Sequence, residues 1–233
     1  MLEVKIFTLY PDLFPGPLDM GIYKKAKENK IWDLRIINIR DYSADGRGSV
    51  DDTPFGGGSG MLLRPDVVAS ALDANTKPGE KIIYLSPKGK KFDQNVVKLF
   101  SNLKKINIIC GHFEGVDQRL LETRNIEEYS LGDFILSGGE TASFVFVDAL
   151  IRLLPGVLGN EESNKEESFE NYLLEHPQCT KPKDWEGKSP PDILFSGDHA
   201  KIKGWRLSQS EAITRRQRPD LWKIYLNKKN EKH

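Results

Sequence analysis

"LGDFILSGGETASFVFVDALIRLLPG", residues 131–156, is the stretch on which the fold turns. Its short apolar run, Phe134-Ile135-Leu136, reads as a strand. Gly138 and Gly139 supply a turn, and Glu140 opens a helical pattern. Ala142, Val145, Phe146, Ala149, Leu150 and Leu153 recur at helical spacing until Pro155-Gly156 stops them. A strand, a glycine turn and a helix N-terminus in that order commonly hold a phosphate. Yet the chain contains neither G-x-G-x-x-G nor G-x-x-x-x-G-K-[ST]. The turn must hold something else.

Upstream, "VKIFTL", "LRIINI", "KIIYL" and "INIIC" are further short apolar runs of strand type. Amphipathic segments separate them. "RPDVVASALDA" is one; a second is capped by Asp93, with Val96, Leu99, Phe100 and Leu103 on one face. Strands alternating with helices predict an α/β fold: a mainly parallel sheet with helices on both faces. Such sheets bind ligands at the carboxyl ends of their strands. "LSPKG", "CGHFEG" and "LSGGE" all occupy that position, and together they predict a pocket walled by backbone amides. Around residues 157–192 strand patterns cease, and Glu, Ser, Asn, Lys and Pro dominate. A flexible linker is expected over 160–175, separating a domain at 1–159 from one at 176–233. In the latter, Ser208-x-x-Glu211 reads as a capping box opening a helix closed by Pro219, and "DLWKIYLNKK" reads as another helix.

The chain has 233 residues, 38% hydrophobic and 29% charged, with a formal net charge of 0. That composition belongs to soluble globular proteins. Charge is uneven: Asp198–His233 carries ten Lys/Arg against four Asp/Glu, while Glu161–Glu170 carries five Glu and one Lys. A basic end can mark nucleic-acid contact or a solvated helix face. The two cysteines, Cys110 and Cys179, have no C-x-x-C spacing, so neither a disulfide framework nor a zinc site is expected. Cys110 ends an apolar run and reads as a buried small hydrophobe. No signal peptide and no membrane-spanning stretch is evident, so a cytoplasmic protein is expected.

"VDDTPFGGGSGM", residues 50–61, places four glycines within five residues. Such a run either approaches a ligand closely or is a flexible surface loop. Asp51 and Asp52 beside it suit a base edge, a ribose or a solvated turn. His112 lacks the partners of a metal site; it is a general base or a structural side chain. "DHAKIKGWRLSQS", 198–210, combines Lys201, Lys203 and Arg206 with Trp205. This suits phosphates and an unpaired base, or a core Trp with a basic exterior.

Taken in order, "LYP", "VDDTPFGGGSGM", "YLSPKGKKFDQ", "CGHFEGVDQR", "LGDFILSGGE", "LIRLLPGVLGNEES" and "SGDHAKIKGWRLSQS" resemble the bacterial tRNA (guanine-N1)-methyltransferase family, of the SPOUT class, over nearly the whole chain. The resemblance implies methyl transfer from S-adenosylmethionine to N1 of guanosine 37 in tRNA having a guanosine at position 36. It implies a deep trefoil knot, a small helical C-terminal tRNA-binding domain, and a homodimer whose tRNA site is built by both subunits. Cofactor walls carried over by position are Tyr84, Leu85, Ser86, Pro87 and Gly89; Gly111, Glu114 and Gly115; and Leu131, Gly132, Asp133, Phe134, Ile135, Leu136, Ser137, Gly138 and Gly139. Asp51, Gly57, Gly58, Lys201, Trp205 and Arg206 are carried over as tRNA-binding. Arg152 matches the family arginine facing guanine O6.

Glu167 stands where the family has its aspartate base, one methylene longer; Glu166 and Glu170 are the neighbouring substitutes. Ser59 replaces a common proline, and "SADGRGS" lacks histidines found in some members. The family also depends on a divalent cation, with magnesium the expectation, but no acidic cluster here defines ligands for it. Two other readings compete: a SPOUT methyltransferase acting at another RNA position, and a tRNA-binding module that has lost transfer.

Overall fold

The structure is a computed structural model describing residues 1–158 and 167–231. Contacts divide the chain into two compact units, 1–159 and 160–233.

Five strands form the sheet of the first unit: β1 (Leu2–Thr8), β2 (Trp32–Asn38), β5 (Lys81–Lys91), β6 (Lys105–Ile109) and β7 (Glu127–Ser130). Their order is β2-β1-β6-β5-β7, and every pairing is parallel. A two-residue antiparallel pair, β3 (Asp51–Asp52) with β4 (Leu62–Leu63), frames the glycine-rich loop. Parallel neighbours require crossovers, and the amphipathic segments supply them: α1 (Gly21–Glu28), α2 (Pro65–Asn75), α3 (Gln94–Phe100), α4 (Gln118–Thr123) and α5 (Gly139–Ile151). Asp93 caps α3, accepting from the amides of Asn95 and Val96. One hydrophobic cluster joins Val4, Ile6, Ile83, Ile106 and Ile108 to Phe100, Phe146 and Leu150. A second joins Phe7, Ile82, Tyr84 and Ile109 to Val68, Leu72 and Leu120. Alternate residues along each strand thus feed opposite cores, so the sheet is buried on both faces. Cys110 is fully buried, as its apolar run requires.

In the second unit, a long segment carries 3₁₀ turns at Glu170–Tyr172 and Asp192–Phe195 and leads into α6 (His199–Gln217) and α7 (Pro219–Asn230). Of the expected linker, residues 160–166 lie outside the described residues. Within 167–175, Leu173 is buried, the Leu174 amide donates to Thr214 Oγ1 at 2.7 Å, and Tyr172 OH accepts from Lys228 at 2.7 Å. Among the described residues, no helix is long and apolar enough to cross a membrane.

Four local expectations are corrected. Phe134-Ile135-Leu136 is not a strand but an exposed loop, with Ile135 80% accessible. The strand of this region is the preceding "EEYS", whose Tyr129 and Ser130 are buried while Glu127 pairs with Lys81 of β5. "SPKG" does not end its strand; Ser86–Gly89 bulge out of β5, which meets Tyr129 once at Leu85 and again at Lys90. Leu99 and Val145 point outward, because the buried stripes run through Val97 and Phe100 on α3 and through Ala142, Phe146, Val147, Leu150 and Ile151 on α5. Ser208 opens no helix: α6 is capped by Asp198, which accepts from the Lys201 amide at 3.1 Å. Ser208 lies inside that helix and returns its hydroxyl to the Trp205 carbonyl.

Candidate active site

Where β5 bulges, and at the carboxyl ends of β6 and β7, a cavity of about 340 Å³ opens in the first unit. Three sequence-distant segments wall it: Tyr84–Lys88, Gly111–Val116 and a third running through Leu131, Gly132 and Phe134–Gly139. Glycine makes this convergence possible. A Cβ on Gly111 would meet the Tyr84 ring at 2.6 Å, and one on Gly139 would meet the Cys110 Cα at 2.6 Å. Gly115, at φ +113°, needs the left-handed region and has the Tyr84 hydroxyl 2.9 Å from where its Cβ would sit. Burial, helped by the Glu128 charge, pushes the Tyr84 phenol up to about 12, and a hydrogen bond with the Val116 backbone opposes it. Tyr84 therefore stays neutral, a wall and not a base.

Behind the cavity lies a buried polar cluster that sequence reading missed. Glu140, in the first turn of α5, is 4% exposed. It accepts from Thr8 Oγ1 at 2.5 Å and bonds His112 Nε2 at 2.7 Å. Since a carboxylate only accepts, Nε2 carries the proton. Backbone contacts close the same corner: the Gly139 amide donates to the Gly111 carbonyl at 2.9 Å, and His112 bridges Gly138. The end of β1, the loop after β6 and the start of α5 are thereby tied together. His112 is structural in this arrangement. The one signal available in sequence was an acid, Glu140, directly after two glycines at a helix start.

The glycine-rich loop is stitched to the second wall. The Glu114 amide donates to the Met61 carbonyl at 2.9 Å, and the Leu63 amide donates to the Gly115 carbonyl at 2.9 Å. The Glu114 side chain fills the space where a Gly60 Cβ would sit. Gly57 and Gly58 both adopt positive φ, at +80° and +129°.

A pocket with glycine-lined walls and no phosphate loop suits a ligand read by backbone. Comparison with known proteins names the class. The family model described as tRNA (Guanine-1)-methyltransferase TrmD matches residues 2–224. A curated tRNA (guanine-N(1)-)-methyltransferase from Pelagibacter ubique (strain HTCC1062) is 66% identical over 230 residues, 99% of this chain and 100% of that protein. One of the same name from Brucella canis (strain ATCC 23365 / NCTC 10854 / RM-666) is 51% identical over 223 residues, covering 96% of this chain and 91% of that protein. The chain belongs to the tRNA (guanine-1)-methyltransferase family.

Of the residues that the sequence resemblance led us to expect at a cofactor, all but two line the cavity. Gly89 instead packs against the backbone of Glu128 and Tyr129, where a side chain has no room. Asp133 is also absent from the lining. Lys88, Phe113, Gln118 and Glu128 line it without having been anticipated. Asp51 lies on β3, next to the glycine loop. Arg152 caps the C-terminal end of α5, one turn beyond Asp148. The Tyr23 hydroxyl donates to Asp148 at 2.6 Å, and that bond, with burial, drives its phenol up to about 12 against the pull of the Arg152 charge. Arg152, Asp148 and Tyr23 therefore form one electrostatic group. In the second unit, Glu167 is half-buried, while Glu166 lies outside the described residues. Lys201, Trp205 and Arg206 all lie on the first half of α6. Among the described residues, no three His, Cys, Asp or Glu side chains gather to hold a metal ion.

Proposed function

We propose that this chain methylates N1 of guanosine 37 in tRNA that has a guanosine at 36, using S-adenosylmethionine held in the first unit's cavity. The carrying observation is that cavity: three segments distant in sequence, two of them glycine-bearing, converge beside the parallel sheet in a chain of the methyltransferase family. The residues fit the cofactor. Tyr84–Pro87, Gly111, Glu114, Gly115 and the loop from Leu131 to Gly139 would hold it, their amides and carbonyls meeting the adenine and their apolar side chains its faces. The convergence of segments so distant in sequence supports the family's knotted crossing here. When bound, S-adenosylmethionine supplies an electrophilic methyl group on a sulfonium.

The chain's own task is the acceptor. Guanine N1 carries a proton at neutral pH and is a poor nucleophile until it is removed. Glu167 accepts that proton as general base, and Arg152 stabilises the negative charge that then moves onto O6. Alignment does the rest. Residues 1–159 act as the cofactor domain, 160–175 as the linker carrying the base, and 176–233 as the tRNA-binding domain, with Asp51, Gly57 and Gly58 meeting RNA from the glycine loop. The active form is a cytoplasmic homodimer.

The test is methyl transfer from labelled S-adenosylmethionine to tRNA transcripts with and without guanosines at 36 and 37, mapped by nuclease digestion and mass spectrometry. Transfer to N1 of guanosine 37 is expected, falling about 10²–10⁴-fold in Glu167→Gln and recovering in Glu167→Asp. Near-normal transfer by Glu167→Gln moves the base elsewhere. No transfer by the wild type overturns the reading.

A further inference from the structure

Tyr23, Asp148 and Arg152 form a polar group near the C-terminal end of α5 that the cofactor cavity does not account for. Tyr23 stands on α1, and its ring packs against the first hydrophobic cluster. Its carbonyl accepts from the indole Nε1 of the buried Trp32 at 2.9 Å. A phenol anchored at both ends in this way has little freedom to follow its partner. Its hydroxyl donates to Asp148 Oδ1 at 2.6 Å, the short range of a bond between a hydroxyl and a charged carboxylate. Arg152 follows Asp148 by four residues, and its amide donates to the Asp148 carbonyl at 3.3 Å. That spacing sets two side chains on one helix face, their Cβ atoms about 5–6 Å apart, and an acid with a base there is a favourable pair. Tyr23 registers both charges: the Asp148 bond, with burial, pushes its phenol up to about 12, and the Arg152 charge opposes this.

The arrangement does more than fasten α1 to α5. A phenol that stays protonated through neutral pH is a permanent donor, and a carboxylate only accepts. One oxygen of Asp148 is therefore fixed from α1, and the carboxyl group cannot turn freely. A fixed negative charge one turn before Arg152 restrains a long side chain with many rotamers. The guanidinium has five N–H donors, so a restraint on one leaves others for a second acceptor. A cation that meets developing charge is worth most when its donors are set in place beforehand. We infer that Asp148 is a positioning residue, which orients the Arg152 guanidinium toward O6 of the acceptor guanine, and that Tyr23 fixes Asp148 for this task. The inference rests on the proposed role of Arg152 and adds two residues that act through it; neither lines the cofactor cavity.

The full-length protein is assayed with a tRNA transcript carrying guanosines at 36 and 37, in single turnover with labelled S-adenosylmethionine. Tyr23→Phe removes the hydroxyl and keeps the ring, and Asp148→Asn removes the charge and keeps the shape. Each should lower the maximal rate about tenfold or more, since a small misplacement of a reacting group can cost about 10²-fold. The half-saturating concentrations of tRNA and cofactor should stay within about twofold of wild type, as for an interaction made only in the transition state. In an Arg152→Ala background neither change should slow transfer further, because all three act through one guanidinium. Loss of thermal stability without loss of rate in Tyr23→Phe marks a fastening role only and overturns the inference. So does a slowing of the same size with and without Arg152, or a change confined to the half-saturating concentrations. If Asp148→Asn unfolds, Tyr23→Phe alone carries the cycle. Wild-type rates in Tyr23→Phe and Asp148→Asn beside a slow Arg152→Ala sink this inference alone. An Arg152→Ala protein that transfers at the wild-type rate sinks the proposed role of Arg152, and the positioning with it.

Discussion

In the first unit both faces of the sheet are covered, and Phe7, Ile106, Ile108 and Phe146 lose all exposure. In the second, the buried side chains among the described residues are Leu173, Ser210 and Thr214. Polar contacts do much of the joining there: Tyr225 donates to Glu211 at 2.6 Å, and Lys229 reaches the same carboxylate at 3.1 Å. The first unit rests on apolar burial, which is non-directional and roughly proportional to area. The second rests on individual hydrogen bonds, each worth about 1 kcal/mol net. A rigid scaffold suits a site that must hold atoms in place. A thinly buried one keeps its surface for a partner.

The sharpest way to break this contrast is a pair of truncations. Phe146→Ala should cost about 3–5 kcal/mol, read as a fall in the denaturant midpoint of the first unit. Trp222→Ala, at a half-buried position on α7, should cost well under half as much; equal losses would erase the difference. Gly139→Ala pushes a methyl into the Cys110 backbone and should cost about 1–3 kcal/mol. Calorimetric titration should show S-adenosylmethionine binding lost with it; binding at wild-type strength would mean the walls are adaptable.

Thr214→Val removes the acceptor of the Leu174 amide and should cost about 1–3 kcal/mol. Hydrogen exchange should register this in α6 while the sheet amides stay protected. The smallest effect is pH. The Tyr225 hydrogen bond holds the Glu211 carboxyl below its ordinary range, with burial opposing and Lys229 assisting. A depressed carboxyl stabilises the fold above its unfolded pKa, and the contribution fades as pH falls through the folded one. The gain is about 0.2–1 kcal/mol for so accessible a pair. Acid should therefore loosen the α6–α7 contact first, visible in tryptophan fluorescence; a signal flat from neutral pH down through the carboxylate range would remove Glu211 from the account.

Four strands and the main crossover helices were legible because they obey simple periods: β-branched runs for a buried parallel sheet, and i, i+3, i+4 spacing for the helices. What failed was local. Phe134-Ile135-Leu136 has strand composition, but three apolar side chains without alternation do not say which face is buried, and here they border a cavity. "EEYS" was passed over because Glu127 and Glu128 hide an edge strand whose partner lies on β5. The capping box at Ser208 was a true local preference overridden by an earlier cap at Asp198 and a helix that tolerates Gly204. The cavity's glycine walls were readable as punctuation at strand ends. The Thr8–Glu140–His112 cluster was not, because its members are far apart in sequence and meet only when the sheet forms.

The seam between the glycine-rich loop and the Glu114 wall has a thermodynamic consequence. Two backbone hydrogen bonds and the Glu114–Gly60 contact make these segments one cooperative piece. Anything that quiets Glu114 from inside the cavity also quiets the loop outside it. A ligand meeting the loop next then has less entropy left to lose. Were one ligand to order Glu114 and a second to meet the loop, the linkage would be reciprocal, each raising the other's affinity by the same factor.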